Sequence, residues 1–303
     1  MKIAIIGAGA MGSLYGGYLS RAGEDVYLVD IWQSHIDEIN RNGLIIKERE
    51  DEIVVYPKAF SKAEEIGSVD LAIIFVKSIL TEKALANNKV ILGSNTLVMS
   101  LQNGYGNIEQ IEKYVKSENI IAGTTAHGAT MLGPGNIKHA GNGVTHIGWL
   151  KNNKNNSIEQ IAAALKRAGF DTNISDNVME LIWSKLIVNV GINALTAILE
   201  IENGRLLDIG ETKYLMKLAI EEAIDVAEAL GIKFNKEETI EKVMQVAYNT
   251  SGNKSSMLQD ILNKRKTEIE TINGAIVREG MKHFVKTPVN TVLLNLIKAK
   301  EVI

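Results

Sequence analysis

The stretch that most constrains this chain is Gly7-Ala8-Gly9-Ala10-Met11-Gly12, which follows the apolar run Lys2–Ile6 directly and opens a helical stretch over residues 13–22. Three glycines at that spacing between strand and helix serve the backbone. The first permits a tight turn, the second lets the main chain approach a ligand, and the third lets helix pack close on strand. The helix start then offers N–H groups that have no partner within the helix, which suits a pyrophosphate. The next β-rich run, 25–30, ends in Asp30, 23 residues after Gly7. A carboxylate there accepts hydrogen bonds from the adenosine ribose of a dinucleotide. The glycines alone would also suit an ordinary turn, with Asp30 closing a strand end. With strand and helix both in place, the context favours dinucleotide binding.

The same segment bears on the choice of nicotinamide cofactor. Asp30-Ile31-Trp32-Gln33-Ser34 holds no cation for a ribose 2′-phosphate. A carboxylate beside that phosphate is repulsive, so the local chemistry favours NAD over NADP. Lys77, at the end of the apolar run 71–77, is a cation that keeps a phosphate contact open.

The first half of the chain repeats the strand-then-helix theme. Runs 71–77, 96–102 and 119–123 are nearly continuous in Ile, Val and Leu, as strands buried on both faces of a parallel sheet are. Amphipathic stretches at 11–22 and 35–42 lie between such runs, which predicts a doubly wound parallel sheet. The Gly-rich text from 133 to 148 predicts an antiparallel extension of that sheet. Beyond about residue 176 the character changes. None of the three prolines falls between Gly135 and Thr287, and Leu215, Leu218, Ala219, Ala223, Val226 and Leu230 recur at helical spacing. The expected domains are residues 1–173, dinucleotide-binding, and 174–303, helical.

Composition narrows the chemistry. With no cysteine in 303 residues, disulfides, thiolate-zinc sites and thiol catalysis are excluded. Five histidines without HxxxH-type spacing offer no metal site. A net charge of -3, spread along the chain, supplies no basic patch for nucleic acid. The apolar run at the N-terminus is too short for a signal segment, and no uninterrupted run reaches the length of a membrane span. These features predict a cytoplasmic protein with no membrane or nucleic-acid partner.

A second constellation lies in the helical half. Lys185, Asn189 and Asn193 are spaced four apart, and four residues advance about 400° around a helix, so all three share one face. Their neighbours Leu186, Ile187, Val188 and Ile192 are apolar, so the stripe is polar on a largely buried helix. A lysine in such a place is costly unless an anion is near. Spacing alone leaves open a solvated face. Further polar groups follow in Ser255-Ser256 and around Glu268, which by themselves read equally as a helix N-cap and an exposed acid. His127, His139 and His146 have no nucleophile to pair with and read as structural, while Trp32 and Trp183 read as packing residues.

Together, Gly7-Ala8-Gly9-Ala10-Met11-Gly12, Leu101-Gln102-Asn103-Gly104, Trp183-Ser184-Lys185-Leu186-Ile187-Val188-Asn189, Asn193-Ala194-Leu195-Thr196, Ser255-Ser256-Met257-Leu258-Gln259-Asp260 and Thr267-Glu268-Ile269-Glu270-Thr271-Ile272-Asn273-Gly274 resemble the ketopantoate reductase family in order and spacing over nearly the whole chain. That resemblance implies an N-terminal Rossmann-type domain followed by an all-helical domain. It implies a reductase that delivers hydride from NAD(P)H to the 2-carbon of a small 2-oxo acid, 2-dehydropantoate giving (R)-pantoate, in pantothenate and coenzyme A synthesis. By the same resemblance Lys185 is the proton donor, and Glu268 lies near the nicotinamide end of the cofactor with Ala129. Asn189, Asn193, Asn203 and Ser256 hold substrate, Asn103 lies between cofactor and substrate, and Lys77 lines the cofactor cleft. The sequence departs from the family at Ile31, where members that use NADPH typically carry an arginine. Two alternatives stay open: a related 2-hydroxyacid dehydrogenase acting on branched 2-oxo acids, and a nicotinamide-binding sensor without chemistry. Oligomeric state is open too, a homodimer included.

Overall fold

The computed structural model describes residues 1–151 and 156–303. Its residues form two compact units, one of Met1–Gln102 with Asn107–Leu181 and one of Ile182–Ile303 with Asn103–Gly106.

The first unit opens with β1 (Lys2–Ile6), α1 (Ala10–Arg21), β2 (Asp25–Val29), α2 (Gln33–Asn42), β3 (Leu44–Lys47), β4 (Glu52–Val55) and β5 (Lys58–Phe60). It continues with β6 (Leu71–Ile74), α3 (Thr81–Asn87), β7 (Leu97–Ser100), α4 (Asn107–Ile111) and β8 (Ile120–Thr125). It closes with β9 (Gly128–Gly133), β10 (Asn136–Gly141), β11 (Thr145–Trp149), α5 (Ser157–Arg167) and β12 (Thr172–Ile174). Eight strands make one sheet in the order β12-β11-β8-β7-β6-β1-β2-β5. All neighbours are parallel except β11 against β8. The apolar runs are continuous because both faces are covered. Along β1, Ile3 and Ile5 enter one core while Ala4 and Ile6 enter another, and β6 repeats this with Leu71 and Ile73 against Ala72 and Ile74. A side-chain period of two, with apolar partners on both sides, demands that pattern. Each such isoleucine, fully buried, contributes about 1.5–3 kcal/mol.

The strand order reverses at β1, which has β2 on one side and β6 on the other. Such a reversal leaves a crevice at the carboxyl ends of the strands, where ligands of open α/β sheets bind. The glycine loop sits at that end of β1.

The expected antiparallel extension divides in two. Only β11 joins the main sheet, whereas β9 and β10 form a hairpin in a separate four-stranded sheet, β4-β3-β10-β9. The reason lies in α1, which has two glycine faces. A Cβ at Gly16 would meet Leu28 Cδ2 of the main sheet at 2.3 Å, and one at Gly17 would meet Ile46 Cδ1 of the second sheet at 2.7 Å. A helix that slim packs between two sheets, and Leu44, Ile46, Val55 and Ile137 bury in the same core as Ile3 and Leu28. Strands β3, β4 and β5 are only four, four and three residues long, and the short apolar runs Leu44–Ile46 and Ile53–Val55 do not say which sheet they join.

The second unit is helical: α6 (Val178–Leu199, which begins in the first unit), α7 (Arg205–Asp208), α8 (Gly210–Ala229), α9 (Lys236–Asn249), α10 (Ser256–Leu262), α11 (Asn273–Lys282) and α12 (Pro288–Lys300). Helix α6 starts where Asn177 Oδ1 accepts the Glu180 N–H at 3.3 Å while its Nδ2 donates to the Glu180 carboxylate at 2.8 Å. That reciprocal pairing satisfies groups a helix start leaves open. By length and mean hydropathy α6 is apolar enough to cross a membrane, although Lys185, Asn189 and Asn193 interrupt its apolar run, and most of it is buried inside the protein. Trp183, Leu186, Ile187, Val190 and Leu195 are its core residues, and α8 and α9 close on its middle, where a Cβ at Gly191 would meet Ile220 and Val243 at 3.0 Å. On α8 the inward positions include Met216, Ile220 and Ile224 as well as Ala219, Ala223 and Val226, while Leu215 faces out. Helix α12 begins at Pro288, with the Val289 and Asn290 N–H groups donating to the Glu222 carboxylate of α8 at 2.8 and 2.9 Å.

Candidate active site

The glycine loop is built as its spacing requires. Gly7 has φ +96, and a Cβ there would lie 2.6 Å from the Val76 nitrogen. A Cβ at Gly12 would lie 1.9 Å from the Gly7 carbonyl oxygen, which no side chain survives. At Gly9 a Cβ would meet nothing within 4 Å, so the loop is open on that side. Helix α1 begins without a side-chain cap, whereas α9 and α10 are capped by Asn235 and Ser255. An uncapped N-terminus beside an open, glycine-lined turn has the donors and the room for a pyrophosphate. Ala8 is buried, and Ala10 and Met11 form the first turn.

Asp30 follows the end of β2 and uses Oδ1 to accept the Trp32 N–H at 2.9 Å. Ile31 is 86% exposed and cannot bind a phosphate. Trp32, read from sequence as a packing residue, is instead 40% exposed and stacks on His35 with ring centroids 5.1 Å apart. Lys77 is half-buried just beyond β6, at the head of a 3-10 turn. Ala129 lies on β9, opposite His139 of β10, and is partly buried against the larger core. The donor set as a whole fits a nicotinamide dinucleotide.

His127 Nδ1 and His139 Nε2 lie 3.3 Å apart, and His139 Nδ1 lies 3.1 Å from Glu48 Oε1.

In the second unit Lys185, Asn189 and Asn193 lie along one stripe of α6, the first two half-buried and the third buried. Burial pulls the Lys185 ammonium down from its usual range to about 8, and the field of the Glu268 carboxylate opposes that fall. Glu268 precedes a 3-10 turn and its Oε2 accepts from Asn103 Nδ2 at 3.2 Å. Asn103 therefore belongs with the helical unit although it follows a strand of the other. Gly104 makes this possible: it has φ +83, and a Cβ there would lie 2.5 Å from the Thr271 carbonyl oxygen. The Tyr105 N–H then donates to that same carbonyl at 2.8 Å.

The remaining predicted groups gather at the start of α10. Ser255 is the N-cap, accepting the Leu258 N–H at 3.1 Å, and Thr196 Oγ1 donates to it at 2.7 Å. Ser256 stays exposed, and Asn193 Nδ2 donates to its Oγ at 3.4 Å. Asn203 is held by Nδ2 on Thr250 Oγ1 at 2.9 Å, while its buried Oδ1 has no partner among the described residues. The Thr196–Ser255 bond escaped the sequence reading. Its signal is a threonine three residues after Asn193, on the helix face that turns inward.

The geometry thus offers a phosphate cradle in one unit and an acid-bearing polar stripe in the other. The sequence pattern of the ketopantoate reductase PanE/ApbA family matches residues 3–152, and that of its C-terminal part matches residues 177–301. A 2-dehydropantoate 2-reductase of Pyrococcus horikoshii is 39% identical, over 99% of this chain and 98% of its own. Among solved structures, D-mandelate dehydrogenase with NADH and anilino(oxo)acetate superposes with a TM-score of 0.95 at 35% identity, covering 100% of this chain and 98% of that one. A PanE/ApbA family ketopantoate reductase from Ralstonia eutropha superposes at 0.92 with 33% identity, covering 100% and 99%. On both the whole-length relatives and the match of both family parts, the chain belongs to the ketopantoate reductase family.

Proposed function

We propose that this protein is a cytoplasmic reductase of 2-dehydropantoate, forming (R)-pantoate at the expense of NAD(P)H. The observation that carries the reading is Lys185: a lysine on a polar stripe, with an acidity near 8 and a carboxylate acting on it. A group that titrates so close to neutrality is matched to giving and taking a proton at working pH. NAD(P)H, when bound, supplies a hydride to the 2-carbon of the oxo acid. Lys185 faces the carbonyl oxygen as an ammonium, draws negative charge onto it and then gives it a proton, so the carbonyl becomes a hydroxyl. Glu268 keeps Lys185 protonated against the pull of burial and aligns Asn103. Asn189, Asn193 and Ser256 bind the substrate's polar groups by directed hydrogen bonds. Gly7 to Gly12 and Asp30 bind the cofactor, with Lys77 and Ala129 contributing along its length. A sensor without chemistry would have no use for a lysine tuned this way.

A second reading has its own support, the likeness to D-mandelate dehydrogenase. It makes the substrate a 2-oxo acid without a hydroxyl. The unpartnered Asn203 Oδ1 favours the first reading, since a buried acceptor is satisfied by a substrate hydroxyl and not by a hydrocarbon. The test is steady-state kcat/KM for ketopantoate, 2-oxoisovalerate and phenylglyoxylate. We expect ketopantoate to lead by at least about tenfold, the value of one good hydrogen bond. Phenylglyoxylate in the lead would replace the first reading with the second.

A further inference from the structure

We propose that His35 is a positioning residue for the cofactor's phosphates: through Ser13 it holds the Ala8 carbonyl inward and so turns the Gly9 N–H outward, into the open side of the glycine loop. The proposal rests on the dinucleotide reading of that loop.

His35 and Ser13 are both fully buried among the residues that pack α1 against α2. An imidazole and a hydroxyl in such a place cost stability unless each polar atom has a partner. Here every one does, and the direction of each bond follows from the first. The Gly135 N–H can only donate, so His35 Nδ1, at 2.9 Å, accepts. A neutral ring then carries its hydrogen on Nε2, which lies 3.1 Å from Ser13 Oγ. Ser13 Oγ accepts that bond and spends its own hydrogen on the Ala8 carbonyl at 2.9 Å. Burial lowers the proton affinity of His35 below its usual range, against the field of Asp30 and an interaction of the ring with the Ala8 carbonyl itself, and this keeps the ring in the neutral form these bonds require.

The far end is fixed as well. Gly135 sits in the turn between β9 and β10 at φ +65, its carbonyl accepts the Ile45 N–H at 2.8 Å, and a Cβ on it would strike Glu38 Cγ at 2.6 Å. The relay therefore runs from the second sheet to the glycine loop.

The consequence at the loop is a matter of peptide geometry. The Ala8–Gly9 peptide is planar and trans, so its N–H points opposite to its C=O. With the Ala8 oxygen tied inward, the Gly9 N–H points away from the core. No backbone acceptor meets it among the described residues, and the space around Gly9 is open. That is the direction a phosphate oxygen needs. If the Ala8 carbonyl were released, the peptide could rotate and present its oxygen, which would repel an anion.

The experiment compares wild type with Ser13→Ala, His35→Ala and the double variant, measuring NADH Kd by calorimetry without any oxo acid. Melting temperature and kcat at saturating NADH are measured beside it. Ser13→Ala removes one hydroxyl from a helix that favours alanine, so it tests the relay in a folded protein even if His35→Ala proves too unstable to measure. We expect Ser13→Ala to weaken NADH binding about tenfold with kcat within about twofold of wild type. Because Ser13 and His35 both act on the Ala8 carbonyl and on each other, their effects should not add, and the double variant should lose less than the product of the two single losses. His35→Gln, whose amide can reach Ser13 in place of Nε2, should recover part of the affinity lost in His35→Ala. Unchanged NADH Kd in Ser13→Ala, whatever happens to the melting temperature, overturns the proposal. Failure of the wild type to bind NADH or NADPH at all would instead overturn the dinucleotide reading.

Discussion

The glycine loop of the first unit and the stripe on α6 of the second solve the problem of binding by opposite means. The loop uses main-chain groups, so what matters is the absence of atoms: no Cβ at Gly7, Gly9 or Gly12 and no side-chain cap on α1. The stripe uses side chains, so what matters is their identity and how little water reaches them, as the lowered acidity range of Lys185 shows. A site made by subtraction is broken by adding a methyl group. One made of side chains is broken by removing a charge or a donor.

The largest effect should come from the stripe. Lys185→Ala removes the acid, and general acid catalysis is typically worth about two to four powers of ten, so kcat should fall by that much while NADH Kd stays put. Near-wild-type kcat in a variant that binds cofactor normally would take the proton donor away from Lys185.

The loop should answer to methyl groups in two different ways. Gly12→Ala puts a Cβ against the Gly7 carbonyl and should abolish both folding and binding. Gly9→Ala meets nothing in the protein, and Gly9 has φ -63, which alanine adopts freely. It should melt at or above the wild-type temperature yet bind NADH at least about tenfold more weakly, since the methyl occupies the room meant for a phosphate. Undiminished NADH affinity in Gly9→Ala would mean the open space has another purpose.

At the far end of the first unit's site the choice of cofactor turns on charge. Asp30 has one carboxylate oxygen on the Trp32 N–H and the other available for ribose, and Ile31 offers a phosphate nothing. We expect kcat/KM to favour NADH by one or two powers of ten, about 1.4–3 kcal/mol, and Asp30→Ala/Ile31→Arg to move the preference toward NADPH. A clear wild-type preference for NADPH would show that Lys77 outweighs Asp30.

Smaller effects belong to the substrate's hydrogen bonds. Ser256→Ala and Asn189→Ala should each raise KM by a few-fold to about tenfold, the range of one neutral hydrogen bond, with little change in kcat. Unaltered KM in both would return them to structural roles.

What could be read from the sequence follows the same division. The loop was legible because the turn at Gly7 and the close packing at Gly12 admit only glycine, and the sheet around β1 because burial on two faces leaves an unbroken apolar run. The stripe was legible as a spacing on a helix flanked by apolar residues, which already pointed to a buried lysine in need of an anion; that the anion is Glu268 and that Ser256 is exposed depend on packing, which spacing does not carry. Asn103 reads as the end of a strand. That it stands with Glu268 is decided by Gly104 and its close approach to Thr271. His35 escaped for a simpler reason. It occupies the inward face of α2 with Ile36 and Ile39, and a histidine in an apolar position is the one signal that pointed to it. The second sheet was missed because its strands take their partners from far along the chain, β3 from β10 in particular.

The smallest effect sharpens the account of the stripe most. Lys185 acts in reduction as an ammonium, so kcat/KM for the oxo acid should be level at neutral pH and fall about tenfold per unit once pH passes about 8. In the reverse direction the neutral amine is the form required, and oxidation of the hydroxy acid should rise through the same pH. Burial and the Glu268 carboxylate push that midpoint in opposite senses, burial downward and the carboxylate upward. Glu268→Gln keeps an oxygen for Asn103 to donate to but removes the charge. With the upward push gone, the midpoint should move below 8, and the variant should lose activity at pH 8 by more than it does at pH 6.5. Because only the ionised fraction changes, the loss near neutrality should be a few-fold at most. A midpoint that stays or rises in Glu268→Gln would show that the carboxylate acts on the cofactor or the substrate and not on the lysine.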